Sequence, residues 1–82
     1  MEIEEIINCV KNQVEILANA ELKDINERIF LKSTFIDSIN MINLIVYLEE
    51  KYNITIDAFF ENRESVSCVM DLSKYLKKKI DI

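Results

Sequence analysis

The residues best placed for covalent chemistry are Asp37 and Ser38, which stand side by side just before a long apolar stretch. The chain contains no histidine, so no serine or cysteine has the imidazole base that activates such nucleophiles. It also contains no glycine, which rules out a glycine-rich phosphate loop. Cys9 and Cys68 could form one disulfide, but nothing indicates secretion, and we expect two small, partly buried thiols. The sequence therefore predicts no enzyme activity and no Cys/His metal site.

Residues 38 to 52 have the spacing of a helix that is apolar over more than half of its circumference. At about 100° per residue, the apolar side chains fall on two neighbouring arcs that together span roughly 220°. A surface helix usually buries a stripe of roughly 100°. We therefore predict that one arc is core and that the other is exposed as a docking surface with a polar border. The core arc is Met41, Leu44, Ile45, Leu48 and Tyr52, the exposed arc is Ile39, Ile42 and Val46, and the acidic border is Glu49 and Glu50.

Asp37 has the chemistry and position of an N-cap for this helix. Its carboxylate can accept hydrogen bonds from N–H groups of the first turn, and its charge suits the positive end of the helix dipole. The same helix end would favour a phosphate attached to the hydroxyl of Ser38. Asp-Ser is nevertheless common at helix starts, and the dipeptide alone favours a simple cap.

A longer run of residues around Ser38 resembles the acyl carrier protein family, and the resemblance extends over nearly the whole chain. It implies that Ser38 carries 4′-phosphopantetheine, a covalent arm from coenzyme A whose thiol holds the cargo as a thioester. It also implies that a phosphopantetheinyl transferase attaches the arm with Mg²⁺, supplies the base and contacts Asp37. Partner enzymes would bind Ile39, Ile42, Val46, Glu49 and Glu50. The matching segments are Phe35-Ile36-Asp37-Ser38-Ile39, Leu48-Glu49-Glu50-Lys51-Tyr52 and Asn53-Ile54-Thr55-Ile56.

Two departures from the common family pattern bear on the cargo. Phe35-Ile36 stands where many members have Gly-Ala or Gly-Gly, which is more similar to D-alanyl and other aminoacyl carriers. Asn40 and Asn43 stand where fatty-acid carriers commonly have acids. We expect a discrete acyl or aminoacyl carrier, charged by an activating ligase and serving a downstream transferase or synthase in lipid or peptide biosynthesis. The alternatives are a fatty-acid-synthesis carrier and, in another class, a helical docking module without an arm.

Helical spacing also predicts a first helix over residues 2 to 18 and a last helix over residues 66 to 80. Asn19 can end the first helix in the left-handed conformation. Ser65 or Ser67 can begin the last helix. Three long helices, one of them the helix over residues 38 to 52, therefore supply the main core of an all-α bundle.

The connections between these helices complete a four-helix bundle of the acyl-carrier type. Residues 19 to 36 form a long connection, interrupted by a short turn of helix near Asp24 to Leu31. After residue 52 we expect an extended segment and a short third helix at residues 58 to 60, capped by Thr55 or Asp57. The apolar side chains that hold the first connection to the core are Leu22, Ile25, Ile29, Phe30, Leu31 and Phe35.

The acidic charge of the chain is concentrated around and after the serine. Residues 37 to 64 hold six acids and two bases, so they carry −4 of the formal net charge of −5. This field disfavours nucleic acid and anionic membranes and favours basic protein partners, although a solvated acidic surface would have the same composition. There is no run of about 18 apolar residues and no basic leader, so we expect no membrane insertion. We expect one cytoplasmic, monomeric domain over residues 1 to 82.

Overall fold

The computed structural model describes residues 2–30 and 35–81, and this part of the chain contains four α-helices and no strand. The three long helices have 16, 15 and 12 residues, and the third helix in chain order has only 4. The predicted all-α bundle with one short third helix is therefore confirmed. The helices are α1 (Ile3–Ala18), α2 (Ser38–Tyr52), α3 (Ala58–Glu61) and α4 (Val69–Ile80), with a 3₁₀ turn at Arg63–Val66.

Both α1 and α2 end at an asparagine with a left-handed backbone. Asn19 and Asn53 each have φ of 53°, and they are the positive-φ residues of the described chain, which has no glycine. Asparagine tolerates this conformation better than most side chains, so it can replace the glycine that commonly follows a helix. The predicted end of α1 at Asn19 and the predicted bounds of α2 are confirmed.

The core lies between α1, α2 and α4, and the connecting segments close it. Each long helix contributes side chains spaced three or four residues apart, as its amphipathic pattern predicts. Ile29, Ile56 and Phe59 from the connections and α3 are also buried. The fully buried residues of the long helices include Ile6, Val10, Val14, Met41, Leu44, Leu48, Val69, Leu72 and Leu76.

The connection after α1 is held to the core as predicted but contains no helix in its described part. Leu22, Ile29 and Phe30 are buried, Ile25 packs against the core at partial burial, and Leu31 lies outside the described residues. The predicted helical turn near Asp24 is wrong as far as residue 30. The Asp24 carboxylate instead accepts the Asn26 N–H, a local turn that competes with helix formation.

The start of α4 also differs from the prediction. The helix begins at Val69, and Cys68 is its N-cap, with Sγ accepting the Asp71 N–H at 3.4 Å. Ser67 cannot cap the helix because its hydroxyl donates to the Glu64 carbonyl and its own carbonyl accepts the Ile29 N–H. An isolated antiparallel bridge pairs Cys68 with residue 28 and holds the backbone extended there. These contacts with residues far away in the sequence therefore shift the start of α4 from the predicted residue 66 to Val69.

The segment between α2 and α3 is an extended loop, as predicted. Asp57 occupies the N-cap position of α3, but its side chain makes no capping hydrogen bond. Its carboxylate lies 3.7 Å from the Lys79 ammonium of α4 instead. The hydroxyl of Tyr75 accepts the Ala58 N–H at 3.4 Å, so α4 holds the start of α3 through two side chains.

Candidate functional site

Ser38 is the first residue of α2, and its side chain is exposed. Asp37, immediately before it, is the N-cap and is also exposed. The Asp37 carboxylate Oδ1 accepts the Asn40 N–H at 2.8 Å, and the Asp37 carbonyl accepts the Met41 N–H at 2.9 Å. Asp37 thus fixes the first turn, and the serine hydroxyl stands at the solvent edge of the positive helix end.

The segment before Ser38 is anchored by a relay of backbone hydrogen bonds. The Ile36 N–H donates to the Ile29 carbonyl at 3.1 Å, and the Ile29 N–H donates to the Ser67 carbonyl at 2.8 Å. Ile36 is 2% exposed, and Phe35 packs against the core at partial burial. The apolar pair before Asp37 therefore seats the serine turn on the bundle. The prediction that Phe35 holds this connection to the core is confirmed. Ile36 was considered only as part of the family signature, although its apolar character was the available signal for burial.

A second contact joins the serine turn to the end of α1. The Asn40 side-chain amide Nδ2 lies 3.4 Å from the Leu17 carbonyl oxygen, across 23 residues of sequence. Asn40 is half-buried, and its backbone N–H is the group that Asp37 caps. One residue therefore contacts both the cap and the neighbouring helix. Sequence reasoning considered only its lack of charge, and no local pattern reveals a contact with a carbonyl so far away.

The two predicted arcs of α2 are separated in the structure. Met41, Leu44, Ile45 and Leu48 are buried, and Tyr52 is half-buried at the end of the same arc. The other arc is an exposed strip, defined here as Ile39, Ile42 and Val46, whose side chains are 72%, 51% and 46% exposed. The strip runs from the residue after Ser38 along the outside of α2.

The two acids of the predicted border have different surroundings. Glu50 is exposed. Glu49 is half-buried, and its Oε2 accepts the Ile56 N–H at 2.8 Å, which ties the following loop back to α2. Glu49 thus has a structural hydrogen bond besides its place at the edge of the strip.

Outside α2, two large apolar side chains of the described residues are exposed. Phe60 on α3 is 73% exposed and stands edge-on against the buried Phe59 ring, with 5.2 Å between the ring centres. Ile16 near the end of α1 is 70% exposed. The short third helix therefore contributes one core residue, Phe59, and one surface residue, Phe60.

The structure offers little support for other kinds of site among residues 2–30 and 35–81. No group of three or more His, Cys, Asp or Glu side chains lies together there as a metal site requires. None of the helices in this range is both long and apolar enough to cross a membrane. Cys9 is a free, partly buried thiol, as expected, and Cys68 is a free thiol that is more deeply buried than expected. Burial raises the pKa of the Cys68 thiol, which suits its role as a neutral cap and not as a nucleophile.

Comparison with known proteins identifies the family of the chain. Two curated proteins from Brachyspira hyodysenteriae, one of them from strain ATCC 49526 / WA1, are both named Acyl carrier protein and are 32% identical to this chain over 76 residues. The matches cover 93% of this chain and 92% of each relative. No protein-family model and no solved structure matches the chain. The chain belongs to the acyl carrier protein family, whose members are carriers and not enzymes.

Proposed function

We propose that this chain is a discrete carrier that holds an acyl or aminoacyl group as a thioester on a 4′-phosphopantetheine arm attached to Ser38. The observation that carries the proposal is the exposed hydroxyl of Ser38 at the first position of an apolar helix capped by Asp37. Membership of the acyl carrier protein family supports a carrier role in general.

The residues at the start of α2 fit such an arm. Ser38 is exposed, so a transferase can reach its hydroxyl, and the positive end of the helix favours the phosphate of a phosphodiester there. Asp37 caps the turn, and its exposed carboxylate can also contact the transferase. When bound, the arm supplies a terminal thiol that holds the cargo. The chain has no histidine, so the proton of the serine hydroxyl must be taken by a base of the transferase.

The exposed strip is the proposed footing for partner enzymes. Ile39, Ile42 and Val46 lie beside the serine, so a protein that binds them brings its own active site close to the arm. Glu50 and the half-buried Glu49 add negative charge at the edge of the strip. Charge complementarity mainly accelerates encounter, which suits a carrier that must leave each partner after each step.

The cargo we propose is that of a specialised carrier charged by an adenylating ligase. The uncharged Asn40 and Asn43 and the apolar Phe35-Ile36 pair favour this assignment over the carrier of general fatty acid synthesis. The partners are then a phosphopantetheinyl transferase, the activating ligase and a downstream transferase or synthase. We propose that the carrier works as a cytoplasmic monomer.

The arm is tested by intact-protein mass spectrometry. Apo protein and its Ser38→Ala variant are incubated with coenzyme A, Mg²⁺ and a broad-specificity phosphopantetheinyl transferase. We expect the wild type alone to gain the mass of one phosphopantetheine. A folded, unmodified wild type that gains no mass would contradict the proposal and would favour a docking module without an arm.

The cargo is tested on the loaded protein. Adenylating ligases for amino acids and for fatty acids are supplied with ATP and their substrates, and the mass of the thioester adduct is measured. Transfer from an amino acid or specialised acyl ligase would support the assignment. Loading only by long-chain fatty acyl ligases, or only through a fatty acid synthase, would contradict it.

A further inference from the structure

Asn40 stands where the cap of α2 meets the end of α1. Its backbone N–H donates to Asp37 Oδ1 at 2.8 Å, and its side-chain Nδ2 donates to the Leu17 carbonyl at 3.4 Å. Ser38 lies in the sequence between Asp37 and Asn40, the two residues that the first of these hydrogen bonds joins. Through these two hydrogen bonds, Asn40 links the turn that carries the serine to the end of α1.

The end of α1 gives Asn40 a specific partner. A helix ends with carbonyls that have no partner inside the helix. At the end of α1, the Ile16 and Glu15 carbonyls accept the N–H groups of Asn19 and Ala20. The Leu17 carbonyl accepts the Asn40 amide from α2. The last turn of α1 contains no basic residue, so the Asn40 amide brings a donor to the negative end of this helix dipole.

The chemistry of this contact selects an amide. An aspartate of the same size would place a carboxylate oxygen against the Leu17 carbonyl, so that two acceptors would face each other. The same aspartate would be favourable for α2 taken alone, because an acid in the first turn complements the helix dipole. An aspartate at position 40 should therefore weaken the contact with α1 and stabilise α2 by itself. These opposite effects distinguish a role in joining the two helices from a role in the stability of α2.

We infer that Asn40 is a positioning residue, which clamps the Ser38 turn to the end of α1 and so holds the serine hydroxyl in the geometry that the transferase requires. This inference rests on the proposed function of Ser38. The clamp itself is a feature of the unmodified protein and can be measured without any transferase.

The test compares three variants with the wild type. Asn40→Asp removes the donor and adds a charge, Asn40→Ala removes the donor alone, and Asn43→Asp adds the same charge at an exposed asparagine of the same helix. Steady-state loading from coenzyme A gives kcat and the KM for the carrier, at a temperature where urea titration shows each variant to be folded. Amide hydrogen exchange at residues 40 and 41 is measured on the apo proteins.

We expect both Asn40 variants to lower kcat by about three- to tenfold, as the loss of one hydrogen bond allows, with little change in KM. Amide exchange at residues 40 and 41 should accelerate by a similar factor, while Asn43→Asp keeps the kcat and exchange rates of the wild type. A residue that only stabilised the fold would change the urea midpoint and leave kcat of the folded protein unaltered.

Three results would overturn the inference. The first is an unchanged kcat in both Asn40 variants, and the second is a slow Asn40→Asp beside a normal Asn40→Ala, which would indicate charge and not the lost donor. The third is unchanged amide exchange in both. If the wild type itself is not loaded, the proposed function fails, and amide exchange alone then decides whether the clamp exists.

Discussion

The two faces of α2 contain the same kinds of side chain in different surroundings. Ile45 is 2% exposed and Ile42, one turn away, is 51% exposed. The buried face belongs to the core that α2 shares with α1 and α4, and no described element covers the exposed strip. The comparison of the two faces shows that α2 has more apolar surface than the core of the bundle buries. The surplus lies next to Ser38, where the proposed partner enzymes would bind.

The largest expected effect is a loss of stability on the buried face. Leu48 is fully buried, so Leu48→Ala should lower the free energy of unfolding by about 2–5 kcal/mol through lost burial and a residual cavity. Urea titration followed by circular dichroism measures this. Val46→Ala, on the exposed strip of the same helix, is the control and should cost less than about 1 kcal/mol. Equal losses at the two positions would remove the distinction between the faces.

Removal of the N-cap of α2 should cause the next largest loss of stability. Asp37→Ala removes the acceptor of the Asn40 N–H and should cost about 0.5–2 kcal/mol. Asp37→Asn retains an acceptor oxygen and should cost less. Thermal unfolding of the three proteins measures the difference. An alanine variant as stable as the wild type would show that the cap does not hold the start of α2.

Of the two acids that border the exposed strip, Glu49 should contribute to stability and Glu50 should not. Glu49→Ala leaves the Ile56 N–H without its carboxylate partner and should cost about 0.5–1.5 kcal/mol. Glu50 is exposed, and Glu50→Ala should change stability by less than about 0.5 kcal/mol. Urea titration of the pair tests this, and the reverse order would mean that Glu49 does not anchor the loop.

Alkaline pH should give the smallest effect, and it acts on the buried side of the molecule. Burial raises the pKa of Cys68 above its ordinary 9.0, and burial with a hydrogen bond to Cys9 raises the pKa of Tyr52 above its ordinary 10.0. As pH rises through 9.0 and then 10.0, the unfolded chain releases protons that the folded chain keeps. The free energy of unfolding therefore keeps its full contribution from these two groups below pH 9.0 and decreases above it.

This pH dependence is measured by urea titration between pH 7 and about 10.5, a range set by the ordinary pKa values of cysteine and tyrosine. Tyr52→Phe removes one of the two groups and should flatten the upper part of the decline. Stability that stays constant over the range, or an unchanged slope in Tyr52→Phe, would contradict this account.

Local patterns in the sequence were sufficient to predict the bounds of α2 and its division into two arcs. Helical spacing determines which side chains share a face, and asparagine can end a helix in a chain without glycine. The start of α4 could not be predicted in this way, because Ser67 and Cys68 are held by Ile29 and the bridge to residue 28. The same applies to the contact of Asn40 with Leu17, which depends on how α1 and α2 meet.

The central claim is that the exposed strip serves partners and not folding, and Ile42→Ala tests it most directly. Ile16→Ala is the matched control, because Ile16 is an exposed isoleucine of α1 outside the strip. Urea stability and the kcat and KM of loading by a phosphopantetheinyl transferase are measured on both variants. We expect Ile42→Ala to remain folded and to raise the KM about fivefold, as the loss of one interface contact allows, while Ile16→Ala behaves as the wild type. Unfolding by Ile42→Ala, or a KM equal to that of Ile16→Ala, would contradict the claim.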